Sequence, residues 1–215
     1  MLKRGAAVKL QRSTVKVVEN LSEGGYAYVH KVKDAGSSSS RNHFALKQIV
    51  ANDAELTASA ARERELMASL APHPNIVAML DWGSASGSVL LLLELCEGSL
   101  ADRVLAKRRF GWSELLDSFA QVTAAVVHLH SQAPPIAHRD LKIENVLVDA
   151  DGLCKLCDFG SYSTVSRAYT ERKDILQAED EISKTTTLMY RAPEMVDLGA
   201  GRLVNHQVDL WALGC

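Results

Sequence analysis

The sequence predicts an α+β fold in two lobes, a small β-rich one followed by a larger, mainly helical one. Three observations carry this. From Thr14 to Val50, β-branched and aromatic residues are interrupted by turn chemistry at Glu23-Gly24-Gly25 and at Asp34 to Ser40, which reads as a hairpin meander. The composition shifts near Cys96. Beyond it, the apolar segment Leu115 to Leu129 reads as helix. A chain of 215 residues with 47% hydrophobic side chains can bury a core. The expected divisions are an N-terminal extension at 1–13, a first lobe with its hinge at 14–96, and part of a second lobe at 97–215.

Charge and composition narrow the partners. A net charge of -2 without a long Lys/Arg run gives no electrostatic footprint for nucleic acid or an anionic membrane surface. The longest apolar stretch, Val89 to Leu93, is too short to span a bilayer, and no apolar signal-peptide core follows Lys3 and Arg4. A cytoplasmic protein is expected. Cys96, Cys154, Cys157 and Cys215 do not form the dense framework of a small secreted domain. Cys154 and Cys157 make a C-x-x-C, but no second pair or nearby His completes a zinc site, so two strand cysteines are the simpler reading.

Within the first lobe, Ser37-Ser38-Ser39-Ser40 reads as a hairpin loop, because strand signals resume at His43 to Val50. A helix follows, capped by Asn52 or Asp53, with Leu56, Ala60, Met67 and Leu70 forming an inward stripe. Glu63 falls inside that stripe, where an unpaired carboxylate would be too costly, so a cationic partner is expected. Glu65 neighbours Arg62 and Ser69 and faces solvent. Val89 to Leu95 reads as a fully buried strand broken by Glu97-Gly98-Ser99.

The motifs that carry chemistry lie in the second lobe. His138-Arg139-Asp140-Leu141-Lys142-Ile143-Glu144-Asn145 matches the catalytic-loop pattern H-R-D-L-x-x-x-N of protein kinases, and Asp158-Phe159-Gly160 follows after two short strand-like runs. Phosphoryl transfer asks the protein to position a hydroxyl, hold magnesium and neutralise developing charge. Asp140 suits the hydroxyl proton, Lys142 the transferring phosphoryl group, and Asn145 and Asp158 the magnesium ion as hard oxygen ligands. Phe44-Ala45-Leu46-Lys47 places a lysine on a strand, and the inward Glu63 is its natural partner. Lys47 then suits the α- and β-phosphates of ATP.

Leu21-Ser22-Glu23-Gly24-Gly25-Tyr26-Ala27-Tyr28-Val29 keeps only the middle Gly of G-x-G-x-x-G, with Ser22 and Ala27 at the outer positions. Glycine there serves close backbone approach to phosphate, a task left to Gly24 and Gly25. No G-x-x-x-x-G-K-[ST] is present, which excludes a P-loop NTPase. Thr187-Leu188-Met189-Tyr190-Arg191-Ala192-Pro193-Glu194 supplies an A-P-E end to the segment begun at Asp158, and Lys142 with Thr187 resembles serine/threonine rather than tyrosine kinases.

Glu23-Gly24-Gly25-Tyr26-Ala27, Lys142-Ile143-Glu144-Asn145, Cys157-Asp158-Phe159-Gly160-Ser161, Glu179-Asp180-Glu181-Ile182 and Thr186 to Val196 occur together. With them the chain, from Val15 to Cys215, resembles the Numb-associated, adaptor-associated and actin-regulating serine/threonine kinases, in which an irregular glycine loop is normal. The resemblance implies a bilobal kinase fold with ATP between the lobes and magnesium as its metal. It implies Leu93 as gatekeeper, Glu94 and Cys96 as hinge contacts, and Val29, Ala45 and Leu147 around the adenine. Met67, His138 and Phe159 would stack as an apolar spine, and Asp209 would brace the catalytic loop. Clathrin-adaptor or actin-regulatory proteins are the implied substrates, at endocytic or cortical actin sites. It further implies helices beyond the one begun at Asp209, so the second lobe is expected to lack its last helices and to expose apolar surface. A catalytically impaired, pseudokinase-like binding module is the alternative, although the catalytic and metal-binding Asp residues are both kept.

Overall fold

The computed structural model describes residues 1–24, 27–36, 42–85 and 87–215. The predicted Ser37 to Ser40 loop and the Gly25 phosphate contact lie outside the described residues. The chain divides into two compact units, residues 1–72 with 77–96, and residues 73–76 with 97–215.

The first unit is built on a sheet ordered β1-β2-β3-β4-β6-β5, antiparallel at every junction: β1 Ala7–Lys9, β2 Thr14–Glu23, β3 Ala27–Asp34, β4 His43–Val50, β5 Met79–Ala85 and β6 Ser88–Glu94. The meander is therefore present. Residues 1–13, read as an N-terminal extension, contribute the edge strand β1, and Val8 within it and Leu10 just after it are buried. A carboxylate secures it, since Asp81 on β5 accepts from the Arg12 and Ser13 N–H groups and the Ser13 hydroxyl at 2.8–3.0 Å.

Alternation along the strands gives the sheet two faces. Val15, Val17, Val32, Leu46, Leu90 and Leu92 pack into one core with Val8 and Leu10. On the other face, Ile49, Leu91 and Ala60 form a second core, Ala60 coming from helix α1, Ala54–Ser69. Asp53 is the residue that caps α1, its Oδ1 accepting from the Leu56 N–H at 2.7 Å. Leu66 is buried as well, while Leu56, Met67 and Leu70 are half-buried.

The second unit begins with His73–Ile76, which joins it because the Leu156 N–H donates to the Asn75 carbonyl and Asn75 Nδ2 to the Cys154 carbonyl. β7 Gly98–Ser99, β8 Val146–Val148 and β9 Cys154–Leu156 form a small antiparallel sheet. Helix α2, Leu100–Leu105, opens with a reciprocal Ser99–Asp102 capping box, and α3, Trp112–His130, is the longest helix among the described residues. Of the C-x-x-C cysteines, Cys154 is buried in β9 and Cys157 lies just beyond it.

After Asp158 come β10, Arg167–Ala168, and a helix α4, Arg172–Thr185, that the sequence pattern did not reveal. α5, Pro193–Val196, β11, Leu203–Val204, paired with β10, and α6, Val208–Leu213, follow. Ala178 and Ile182 of α4 pack with Ala137, Ala192, Met195, Leu198, Val204 and Val208 as one core. Trp112, Leu116 and Phe119 on α3 stand in solvent.

Candidate active site

Lys47 is central on β4, opposite Val29 on β3 and Leu91 on β6, while Ala45 stands opposite Leu93. Cross-strand neighbours share a face, so Val29, Ala45, Lys47 and Leu93 lie on the α1 side of the sheet. There Lys47 Nζ donates to Glu63 Oε1 at 2.7 Å, both side chains nearly buried at 13% and 5% exposure. The helical spacing that set Glu63 in an apolar stripe thus has its cationic partner. At the end of β6, Glu94 Oε1 accepts from the Ala78 N–H at 2.8 Å, and Cys96 is half-buried. Gly24 donates its N–H to the Ala27 carbonyl at 2.8 Å.

The second unit assembles the polar residues of the catalytic loop. Asp140, 7% exposed, accepts at Oδ1 from the Thr187 N–H and hydroxyl at 2.9 and 2.7 Å. Its Oδ2 meets Lys142 Nζ at 2.7 Å and Asn145 Nδ2 at 3.1 Å. Lys142 Nζ also donates to the Thr187 hydroxyl at 2.8 Å, so one hydroxyl accepts from Lys142 and donates to Asp140. Asn145 closes a 3-10 turn, Ile143–Asn145, and spends its amide nitrogen on the Asp140 carboxylate and carbonyl. That orientation leaves the amide oxygen as the atom a hard cation takes.

Two residues of this region hold left-handed backbone, Arg139 at φ 69° and Asp158 at φ 63°. Such geometry costs on the order of 1–3 kcal/mol for a non-glycine residue and persists only where surroundings impose it. At Arg139 the imposing group is Asp209, fully buried on α6, which accepts from the His138 and Arg139 N–H groups at 2.8 Å each. Asp209 Oδ2 also meets His130 Nε2 at 2.9 Å. His138 is fully buried too; its Nε2–H donates to the Cys157 carbonyl at 3.0 Å, leaving Nδ1 facing the Asp140 N–H. Its ring meets Phe159 edge-on, centroids 5.2 Å apart, so that two of the three expected spine residues touch. Met67 packs within the first unit's core.

Asp158 is exposed, with its Oδ1 facing the Gly160 N–H, and Leu147 is half-buried on β8 between Ser99 and Lys155. Three contributors went unread in the sequence. His130 reaches Asp209 from 79 residues away. Arg139 pairs with Glu181 of α4 at 3.0 Å. Arg191 donates to the Thr186 hydroxyl and to the Ser183 and Thr186 carbonyls, closing the C-terminal end of α4, while the Ser161 hydroxyl bonds the Thr185 carbonyl.

A loop strained around a buried Asp, a lysine two residues on and a strand lysine held by a helix glutamate are the features of a protein kinase domain. The chain belongs to the protein kinase domain family, which matches residues 15–215. It is 38% identical over 222 residues to each of two probable serine/threonine-protein kinases of Dictyostelium discoideum, covering 99% and 98% of this chain. It is also 33% identical over 210 residues to the actin-regulating kinase PRK1 of Saccharomyces cerevisiae, covering 93% of this chain. The alignments span only 19%, 27% and 26% of those three proteins.

Proposed function

We propose that this chain is the catalytic domain of an ATP-dependent serine/threonine protein kinase, transferring the γ-phosphoryl group of ATP to protein hydroxyls. The observation that carries the reading is the Thr187 hydroxyl, which donates to Asp140 and accepts from Lys142. These are the contacts a substrate hydroxyl needs, a carboxylate for its proton and a cation beside the oxygen where phosphoryl arrives. Lys47, fixed by Glu63, serves the α- and β-phosphates. On the first unit Val29, Ala45 and Leu93 face the base, Glu94 and Cys96 give it backbone contacts, and Gly24 covers the phosphates.

The Asn145 amide oxygen and the exposed Asp158 carboxylate fit magnesium, which when bound neutralises phosphate charge. The 33% identity to an actin-regulating kinase supports placement among the Numb-associated and actin-regulating kinases. Cytoplasmic substrates of the clathrin-adaptor or actin-regulatory kind follow from that placement.

The test is transfer of radiolabelled phosphate from ATP to a generic serine/threonine substrate by wild type and Asp140→Asn. Losing the general base should lower the rate roughly 10²–10⁴-fold. Equal incorporation by the two proteins would overturn the assignment. Nucleotide-induced thermal stabilisation without transfer in wild type would mark a binding module instead.

A further inference from the structure

The connection between α2 and α3 carries chemistry that phosphoryl transfer does not use. From Arg103 to Trp112 the chain holds four cations, Arg103, Lys107, Arg108 and Arg109, and no carboxylate. Glu114 meets Arg108 at 2.8 Å and Arg103 at 3.8 Å. Lys107 and Arg109 are exposed and make no ion pair among the described residues. The net charge of -2 conceals this concentration of positive charge. It acts locally, because screening at physiological salt confines its reach to about 8 Å.

Large apolar side chains flank the cations. Leu105 at the end of α2 is 79% exposed and Trp112 at the start of α3 is 82% exposed. Trp112 also begins a stripe, with Leu116 four residues on at 65% and Phe119 seven on at 53%. Glu114 and Asp117 fall on the opposite side of the helix at 100° per residue, so the start of α3 is amphipathic with its acids turned away from the stripe. An exposed apolar stripe marks a binding surface, and its edging decides the partner. Unpaired cations beside an exposed Trp and Leu are the composition of an interfacial anchor, in which the indole sits at headgroup level and the cations meet acidic lipid.

We propose that this face docks on an anionic lipid bilayer surface. Leu105 and Trp112 enter the boundary between headgroups and acyl chains, and Lys107 and Arg109 face the acidic headgroups. Covering of the stripe by a second copy of the chain would not depend on acidic lipid, so the two occupants are separable. The inference concerns binding alone and stands apart from whether the chain transfers phosphate.

The test is cosedimentation of the full 215-residue chain with phosphatidylcholine vesicles and with vesicles that also contain phosphatidylserine. The expected result is binding to the phosphatidylserine vesicles, weakened by high salt. Lys107→Glu with Arg109→Glu should weaken it by at least about fivefold for each cation lost. Trp112→Ser should weaken it further with an unchanged circular dichroism spectrum; should that variant misfold, the charge-reversed one still decides. The proposal is overturned by absence of binding to either vesicle or by equal binding to both. It is overturned equally by binding that the charge reversal leaves intact, or by lipid-free self-association that the charge reversal abolishes.

Discussion

At the scale of single residues, the Lys47–Glu63 pair shows how sequence spacing becomes a site. Glu63, its side chain 5% exposed, is paired with Lys47, and removing the lysine leaves that carboxylate buried without its cation. Lys47→Met should therefore cost about 3–5 kcal/mol in urea unfolding, and Lys47→Met with Glu63→Leu should recover most of it. A double variant no more stable than the single one would show that the pair is not coupled. This contact was legible because it is local in kind: alternation places Lys47 on one sheet face and helical period places Glu63 among Ala60, Met67 and Leu70. His130 with Asp209 and Arg139 with Glu181 were not, since they join positions 79 and 42 residues apart and no periodicity marks either partner.

At the scale of elements, β1 and β10 escaped the sequence reading because strands of three and two residues carry too few alternations to stand out. α4 escaped because only Ala178 and Ile182 of its fourteen residues are buried. The sheet of the first unit carries two titrating groups that predict its response to acid. Burial alone would raise the Asp81 carboxyl, but the Ser13 hydroxyl and the Arg12, Trp82 and Ser13 N–H groups hold it below its ordinary 3.8. Its hold on the β1–β2 turn is therefore present above that value and lost as pH falls through the lowered one.

His30 on β3 is fully buried against Gln48, and burial chiefly pushes its pKa below 6.5 despite the bond to Gln48. The unfolded chain thus takes up its proton first, and stability declines as pH falls below the ordinary imidazole value. Denaturant midpoints should accordingly drop in two stages on acidification, the first made smaller in His30→Gln and the second in Asp81→Asn. A midpoint flat from neutral pH to the carboxylate range in wild type would refute the His30 assignment.

At the scale of the whole molecule, Asp209 ties the end of the described chain to the catalytic loop. It accepts from the backbone of His138 and Arg139, and it stands beside His130 of α3. Asp209→Ala strands two buried N–H groups, each costing about 1–3 kcal/mol. A loss of at least about 2 kcal/mol is expected, read by urea unfolding, together with a lower transfer rate as Arg139 relaxes from φ 69°. Unchanged stability would mean that the loop holds its shape without α6. Sequence reading reached the division into a sheet-rich and a helix-rich part, because composition shifts near Cys96, and the resemblance implied Asp209 as the brace of the loop, but the contact of His130 with the same carboxylate went unread.

The dependence of the loop on Asp209 also sets an order in time. His138 and Arg139 leave the ribosome 71 and 70 residues before the carboxylate that will receive their N–H groups. At roughly 5–20 residues per second, synthesis of that interval takes about 4–14 s. Through those seconds the nascent loop has no acceptor to impose its left-handed turn, so Asp140 is made early and reaches its folded setting late.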